Sequence, residues 1–303
     1  MAELKRYRHM VYNSARWDGF ALRPGDVVIS TPPKCGTTWM QMLCAMLLHD
    51  TVQLDRPLSQ ISPWLDMQTT SREEVFAALQ AQTGRRLIKT HTPLDGLALD
   101  AAATYVCVAR DPRDVAISFD HHMANLDMNA FMAARAAAVG LQDLGELGPP
   151  PAPAAEDPAE RFWQWADGEP GEFAGPTLTE VLHHAQTFWD HRQDPNVVLF
   201  HYADLQRDLP GQVRRLAAAL GIDVTEARVT ELAAAATFGA MKARADVLVP
   251  DVEHAIWISN SEFFHRGHSG QWREVLDEAG QRRYQERVST LIAPDLDGWV
   301  HSG

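Results

Sequence analysis

The chain has 303 residues, with 27 Lys and Arg against 40 Asp and Glu, a formal net charge of −13. At 46% apolar and 22% charged the composition is that of an ordinary globular protein and excludes wholesale disorder. The acidic balance argues against nucleic acid or an anionic membrane as a general partner, since both need a basic face; an anionic ligand needs only local positive charge.

The three cysteines, Cys35, Cys44 and Cys107, are too few and too irregularly spaced for a disulfide framework, and they form no CxxC pair. A reducing cytoplasm is expected. The opening stretch is polar and has no apolar signal core, and no run approaches the ~18–20 apolar residues of a membrane span.

In chain order, Asp26–Thr31 (DVVIST) follows a Pro24-Gly25 turn and reads as a buried strand, stopped by Pro32 and Pro33. Gly36–His49 is apolar on nearly all sides at helical length and predicts a buried helix. Arg86–Lys89 is a second strand leading into a His91–Pro93 turn, and Thr104–Ala109 is a third, after which Pro112 opens a helix. Residues 140–157, rich in Pro, Ala and Gly, predict a surface loop inserted in a single domain that spans 1–303. Val197–Tyr202 is a fourth strand, followed by a helix over Leu209–Leu220. Strands alternating with helices predict an α/β fold: a mostly parallel sheet covered on both faces. Such sheets bind ligands beyond the carboxyl ends of their strands, which places Lys34, Lys89, His91, Arg110 and Tyr202 along one edge.

The segment Thr31–Trp39 (TPPKCGTTW) is a strand, a tight turn and a helix start. Helix N-terminal N–H groups make an anion site, Gly36 admits a phosphate close to the backbone, Thr37 and Thr38 add hydroxyls, and Lys34 adds a full charge. The lysine precedes the glycine, unlike the GxxxxGK[ST] loop of nucleotide kinases, which weakens a kinase reading. A threonine-capped helix beside a surface lysine is the plain structural alternative. Of four lysines in the chain, Lys34 and Lys89 both fall at predicted strand ends. In Val108–Ser118 (VARDPRDVAIS), Arg110 and Ser118 are spaced to reach one phosphate, with Arg113 and Asp114 expected at the surface; alternatively Arg110 pairs with Asp111 or Asp114. Phe263–Trp272 (FFHRGHSGQW) offers glycines, basic residues and a serine, either a second phosphate cradle or a flexible surface loop. Paired histidines such as His121-His122 and His183-His184 lack metal-ligand spacing, and no metal is expected.

These segments, with KTHTP at 89–93 and TFGAMK at 237–242, occur in the order and spacing that resemble the cytosolic-type sulfotransferases using 3′-phosphoadenosine-5′-phosphosulfate (PAPS). SPWLD at 62–66 and KTHTPLDGL at 89–97 look like a bacterial branch labelled glycolipid sulfotransferase. The resemblance implies PAPS as co-substrate, adenosine 3′,5′-bisphosphate (PAP) as product, and a small-molecule or lipid-linked hydroxyl acceptor. It implies that Lys34, Cys35, Gly36, Thr37 and Thr38 hold the 5′-phosphosulfate and that Trp39 stacks on adenine. Arg110 and Ser118 would hold the 3′-phosphate under His265, Arg266 and Gly267, with Tyr202 and Phe238 lining the adenosine pocket. His91 would be the catalytic base, Lys34 would stabilise the leaving phosphate, and Lys89 would neutralise the sulfuryl oxygens. Cys35 stands where serine is usual, Ala236 where threonine is common, and His265 where arginine is usual; the family's dimer motif is not matched after Trp272, which leaves the oligomer open. A small-molecule kinase and a non-catalytic nucleotide-binding protein are the rival readings. Trp64, Phe119, His122, Met123, Phe162, Trp165 and Phe188 are candidates for an acceptor pocket, or for ordinary core. Met123–Met132 and the 140–157 loop are candidates for an acceptor lid.

Overall fold

A computed structural model describes residues 4–147, 153–171 and 175–303. Four parallel strands form the sheet: β1 (Val27–Ser30), β2 (Leu87–Thr90), β3 (Thr104–Ala109) and β4 (Val197–His201), in the order β2-β1-β3-β4. Val28 lies opposite Ile88 in β2 and Tyr105 in β3, and Tyr105 in turn lies opposite Val197. The predicted strands are all present. Tyr202 differs: it begins a short helix, Tyr202–Arg207, because His201 Nδ1 accepts the Ala203 N–H and turns the chain.

Side chains alternate across the sheet with the period of two that strands impose. Val27, Ile29, Leu87, Val106, Val108 and Phe200 face one layer, built from α1 (Thr37–Leu48) and Leu209–Ala219. Val28, Ile88, Tyr105, Cys107 and Leu199 face the other, against Phe188 of the helix Leu178–Asp190. Both faces are covered, so the strands read as continuous apolar runs. Every residue of α1 except Leu48 is buried. The helix α2 (Pro112–Ala124) starts with Asp111 accepting the Arg113 N–H and with Pro112 in its first turn, where a missing N–H costs nothing. Among the described residues no helix is long and apolar enough to cross a membrane. Of the 140–157 segment, Gln142–Glu146 forms a short 3-10 helix, and residues 148–152 lie outside the described residues.

At the opposite end of the sheet from the predicted site, Arg86 and Asp26 form a buried ion pair. Arg86 Nε donates to Asp26 Oδ1 at 2.9 Å, a second guanidinium nitrogen donates to Oδ2, and Nη2 also reaches the Ala21 carbonyl at 2.8 Å. Both side chains are almost wholly excluded from solvent. Removing one partner strands the other charge in the interior. Arg86→Met should therefore cost about 3–5 kcal/mol of folding free energy, read as a lowered urea midpoint at unchanged slope.

Candidate active site

The loop after β1 makes two unusual backbone turns. Lys34 has φ 68° and Gly36 has φ 103°, both in the left-handed region. At Gly36 only glycine fits, because a Cβ would lie 2.9 Å from the Tyr202 ring. The turn aims the start of α1 into a cavity of about 1360 Å³. No side chain caps α1 there, so its first N–H groups remain available to an anion. Thr37 and Thr38 line the cavity, and Thr37 Oγ1 is 2.5 Å from Thr31 Oγ1.

The strand order explains which charges meet. β1 lies between β2 and β3, so Lys34 is flanked by Lys89 at the end of β2 and Arg110 just beyond β3. All three line the same cavity. None forms an ion pair with a carboxylate among the described residues. Lys34 Nζ sits 3.1 Å from His122 Nδ1 and 4.5 Å from the Phe263 ring centre. Burial, then the charges of Arg110 and Lys89, pull its ammonium down to about 7. Lys89 Nζ lies 3.5 Å over the Trp64 ring and is lowered by burial to about 8. Arg110 stacks at 4.4 Å over Tyr202 and donates to the carbonyls of Lys34 (3.2 Å) and His268 (3.3 Å). It pairs with neither Asp111 nor Asp114, and its Nε is buried with no partner.

His91 also lines the cavity, with its edge toward Trp64 at 4.7 Å. Its Nδ1 lies 2.6 Å from the Thr31 carbonyl. A carbonyl only accepts, so the proton is on Nδ1 and Nε2 keeps a lone pair. Burial first, and then Lys89, hold this imidazole neutral well below the usual histidine range. A neutral histidine with an open Nε2 is a proton acceptor.

The residue that shapes this loop is Asp66, which the sequence reading quoted only as part of a family phrase. It is fully buried and accepts from Trp64 Nε1, Thr90 Oγ1, Thr92 Oγ1 (2.6 Å), Thr92 N (3.0 Å) and His91 N (3.2 Å). The loop carrying the histidine and the indole under Lys89 thus hang on one carboxylate. No local spacing rule flags such a residue, since apart from Trp64 its partners lie more than twenty positions away.

The remaining predicted residues divide. Trp39, Ser118, Tyr202, Phe238, His265, Arg266 and Gly267 all line the cavity. Trp39 packs edge-on to Tyr202 at 5.4 Å, and its Nε1 is buried without a partner. His265 stacks on His121 at 3.5 Å, and its Nε2 is likewise unpartnered. Arg266 is turned to Glu274, 2.7 Å away near the surface. Cys35 corrects the expectation: its thiol is fully buried against Val115 and Val181, off the cavity, and burial pushes it up to about 12. Arg113 and Asp114 are not surface residues either. Asp114 is fully buried and accepts the Gly270 N–H at 2.7 Å, which docks the closing loop, while Arg113 pairs with Asp111 and lies 3.7 Å over Trp272.

Trp64, Phe119, His122, Met123, Phe162 and Trp165, the candidates for an acceptor pocket, also line the cavity. Phe188 does not: it is core, stacked on His184. The segment His9–Tyr12 joins this wall, a contribution that sequence reasoning missed. Asp251, Glu253 and His254 bring ligand atoms within 4.8 Å of one another, but they line a second cavity, and Asp251 already accepts from Thr69.

Comparison with known proteins identifies the family. Residues 24–294 match the family model described as a sulfotransferase domain. The glycolipid sulfotransferase of Mycobacterium bovis (strain BCG / Pasteur 1173P2) is 43% identical over 309 residues, which cover 98% of this chain and 94% of the relative. Among solved structures, a mouse sulfotransferase complexed with PAP superposes with a TM-score of 0.70 at 18% identity, over 98% of this chain and 99% of the other. Retinol dehydratase in a complex with retinol and PAP gives 0.70 at 24% identity, over 93% and 85%. A matching domain over most of the chain and a 43% identical relative covered almost end to end lead to one conclusion: the protein belongs to the sulfotransferase family and is a transferase.

Proposed function

We propose that this sulfotransferase moves the sulfuryl group of PAPS to a hydroxyl of a glycolipid. The observation that carries the reading is three cations, Lys89 and Arg110 buried and Lys34 partly so, without ion-paired carboxylates among the described residues, beside a neutral histidine in one cavity. The orphaned polar atoms fit an adenosine bisphosphate. Arg110 Nε and His265 Nε2 are buried groups awaiting a partner near the closing loop, and Trp39 Nε1 is another beside Tyr202. The glycines that clear the way are Gly36 and Gly267, whose Cβ would overlap the Phe238 ring.

The chain's residues divide the chemistry as follows. The N–H groups of α1, with Thr37 and Thr38, bind the 5′ end; Arg110, Ser118, His265, Arg266 and the Gly267 backbone bind the 3′-phosphate; Trp39, Tyr202 and Phe238 enclose the base. His91 Nε2 takes the proton of the acceptor hydroxyl as its oxygen forms the new bond to sulfur. The bond from sulfur to the bridging oxygen breaks, and its electron pair stays on the phosphate, where a Lys34 N–H meets it. Lys89 neutralises the sulfuryl oxygens. Positioning and charge stabilisation carry most of such a reaction. Support for a glycolipid acceptor comes from the volume and aromatic lining of the cavity and from the 43% identical relative named for that substrate. PAPS supply and the buried free thiols support a cytoplasmic location.

Incubation with [35S]PAPS and either n-octyl β-D-glucopyranoside or 2-naphthol tests the acceptor class. Label is expected on the glycoside; label on naphthol alone overturns the glycolipid assignment. His91→Ala should abolish transfer while leaving PAP affinity nearly intact, and equal loss of both removes its role as base. Lys34→Met should lose ~2–4 kcal/mol of transition-state stabilisation, read from kcat/KM. PAP affinity should fall as pH rises from 7 to 9. Lys34 and Lys89 lose their protons near 7 and 8, and an anion favours the protonated forms, so binding takes protons up. Calorimetry in two buffers of different ionisation enthalpy reads that uptake directly.

A further inference from the structure

Lys34 carries its charge in a confined place. Its Nζ faces the Phe263 ring at 4.5 Å and His122 Nδ1 at 3.1 Å. Arg110 and Lys89 approach from the neighbouring strands and oppose its charge. His122 comes from α2 and is held among Trp257 at 4.6 Å, Phe263 at 5.5 Å and Phe119 at 6.4 Å. An ammonium has three donors and no lone pair, so Nδ1 accepts and the His122 proton sits on Nε2. This is the opposite tautomer to that of His91, whose proton is on Nδ1.

The choice of partner has a physical logic. A carboxylate at this place would keep Lys34 charged but would repel an incoming phosphosulfate and cancel the field that the departing oxygen needs. An apolar neighbour would leave one N–H of a buried ammonium unpaired, at a cost. A neutral imidazole satisfies the N–H and adds no negative charge.

We propose that His122 is a positioning residue for sulfuryl transfer: by accepting one N–H of Lys34 at Nδ1, it fixes the ammonium and leaves the other two N–H groups for the departing phosphate oxygen. The proposal rests on the role of Lys34 argued above.

Hydrolysis of PAPS without an acceptor tests it, because water then takes the sulfuryl group, giving PAP, sulfate and two protons while the same S–O bond breaks. His122→Leu is expected to lower kcat for [35S]sulfate release about tenfold with KM for PAPS changed less than about threefold. His122→Asn, whose carbonyl oxygen can stand in for Nδ1, is expected to recover to within about threefold of the original rate. The double variant Lys34→Met/His122→Leu should be no slower than Lys34→Met alone, since His122 acts through Lys34. PAP titration of each variant verifies that the site is folded. Unchanged kcat in His122→Leu overturns the proposal, as does equal damage from Leu and Asn or an additive double variant. If Lys34→Met itself keeps full rate, the role of Lys34 falls, and this inference falls with it; a slow Lys34→Met beside a fast His122→Leu overturns only this inference.

Discussion

The site is organised by positive charge that no ion pair neutralises among the described residues. Lys34, Lys89 and Arg110 converge because the central strand β1 delivers the first between the strands that deliver the other two. Taking a charge out of water is unfavourable, and so is crowding like charges; burial lowers both lysines, and Arg110 and Lys89 lower Lys34 further. The arrangement persists because the rest of the fold over-determines it. Buried layers lock the strands on both faces, Gly36 permits the sharp turn, and aromatic faces pack against the cations. In a chain of net charge −13, this pocket is a local exception to the overall field.

The same economy of negative charge appears around the histidine. The carboxylate nearest to it, Asp66, spends its hydrogen-bonding capacity on the Thr90–Thr92 loop and the Trp64 indole, and meets only the His91 backbone N–H. The His91 ring is oriented by a backbone carbonyl instead. Its orientation is thus set without a negative charge at the ring, and burial, then the charge of Lys89, keeps it unprotonated.

The strands and the first helix were legible because each signal is local: an apolar run, a flanking glycine or proline, a helix start. The observed β3 spans Thr104–Ala109 as read, and β1 trims the predicted Asp26–Thr31 to Val27–Ser30. The convergence of Lys34, Lys89, His91 and Arg110 followed from parallel topology alone. What stayed hidden depends on partners distant in the chain. Asp114 looked like a surface residue on α2, yet it holds the Gly270 N–H, 156 positions on. Cys35 lies inside the anion-loop motif, but its side chain points into a small apolar cluster with Val115 and Val181. Phe188 and Phe119 are indistinguishable as letters, and packing alone sends one to the core and the other to the cavity wall. Val197–Tyr202 ran one residue too far because a histidine cap is a weak signal in sequence.

The three cysteines have a use outside the chemistry. All are fully excluded from solvent and unbridged, and burial pushes the pKa of each thiol far above neutral pH. Alkylating reagents therefore find no thiolate in the native protein, and each labelling event reports an opening of the fold. Because Cys35 sits in the β1–α1 turn, Cys44 in the helix above the sheet and Cys107 in the strand beneath, the order in which they react maps, without any introduced probe, which layer of the molecule breathes first.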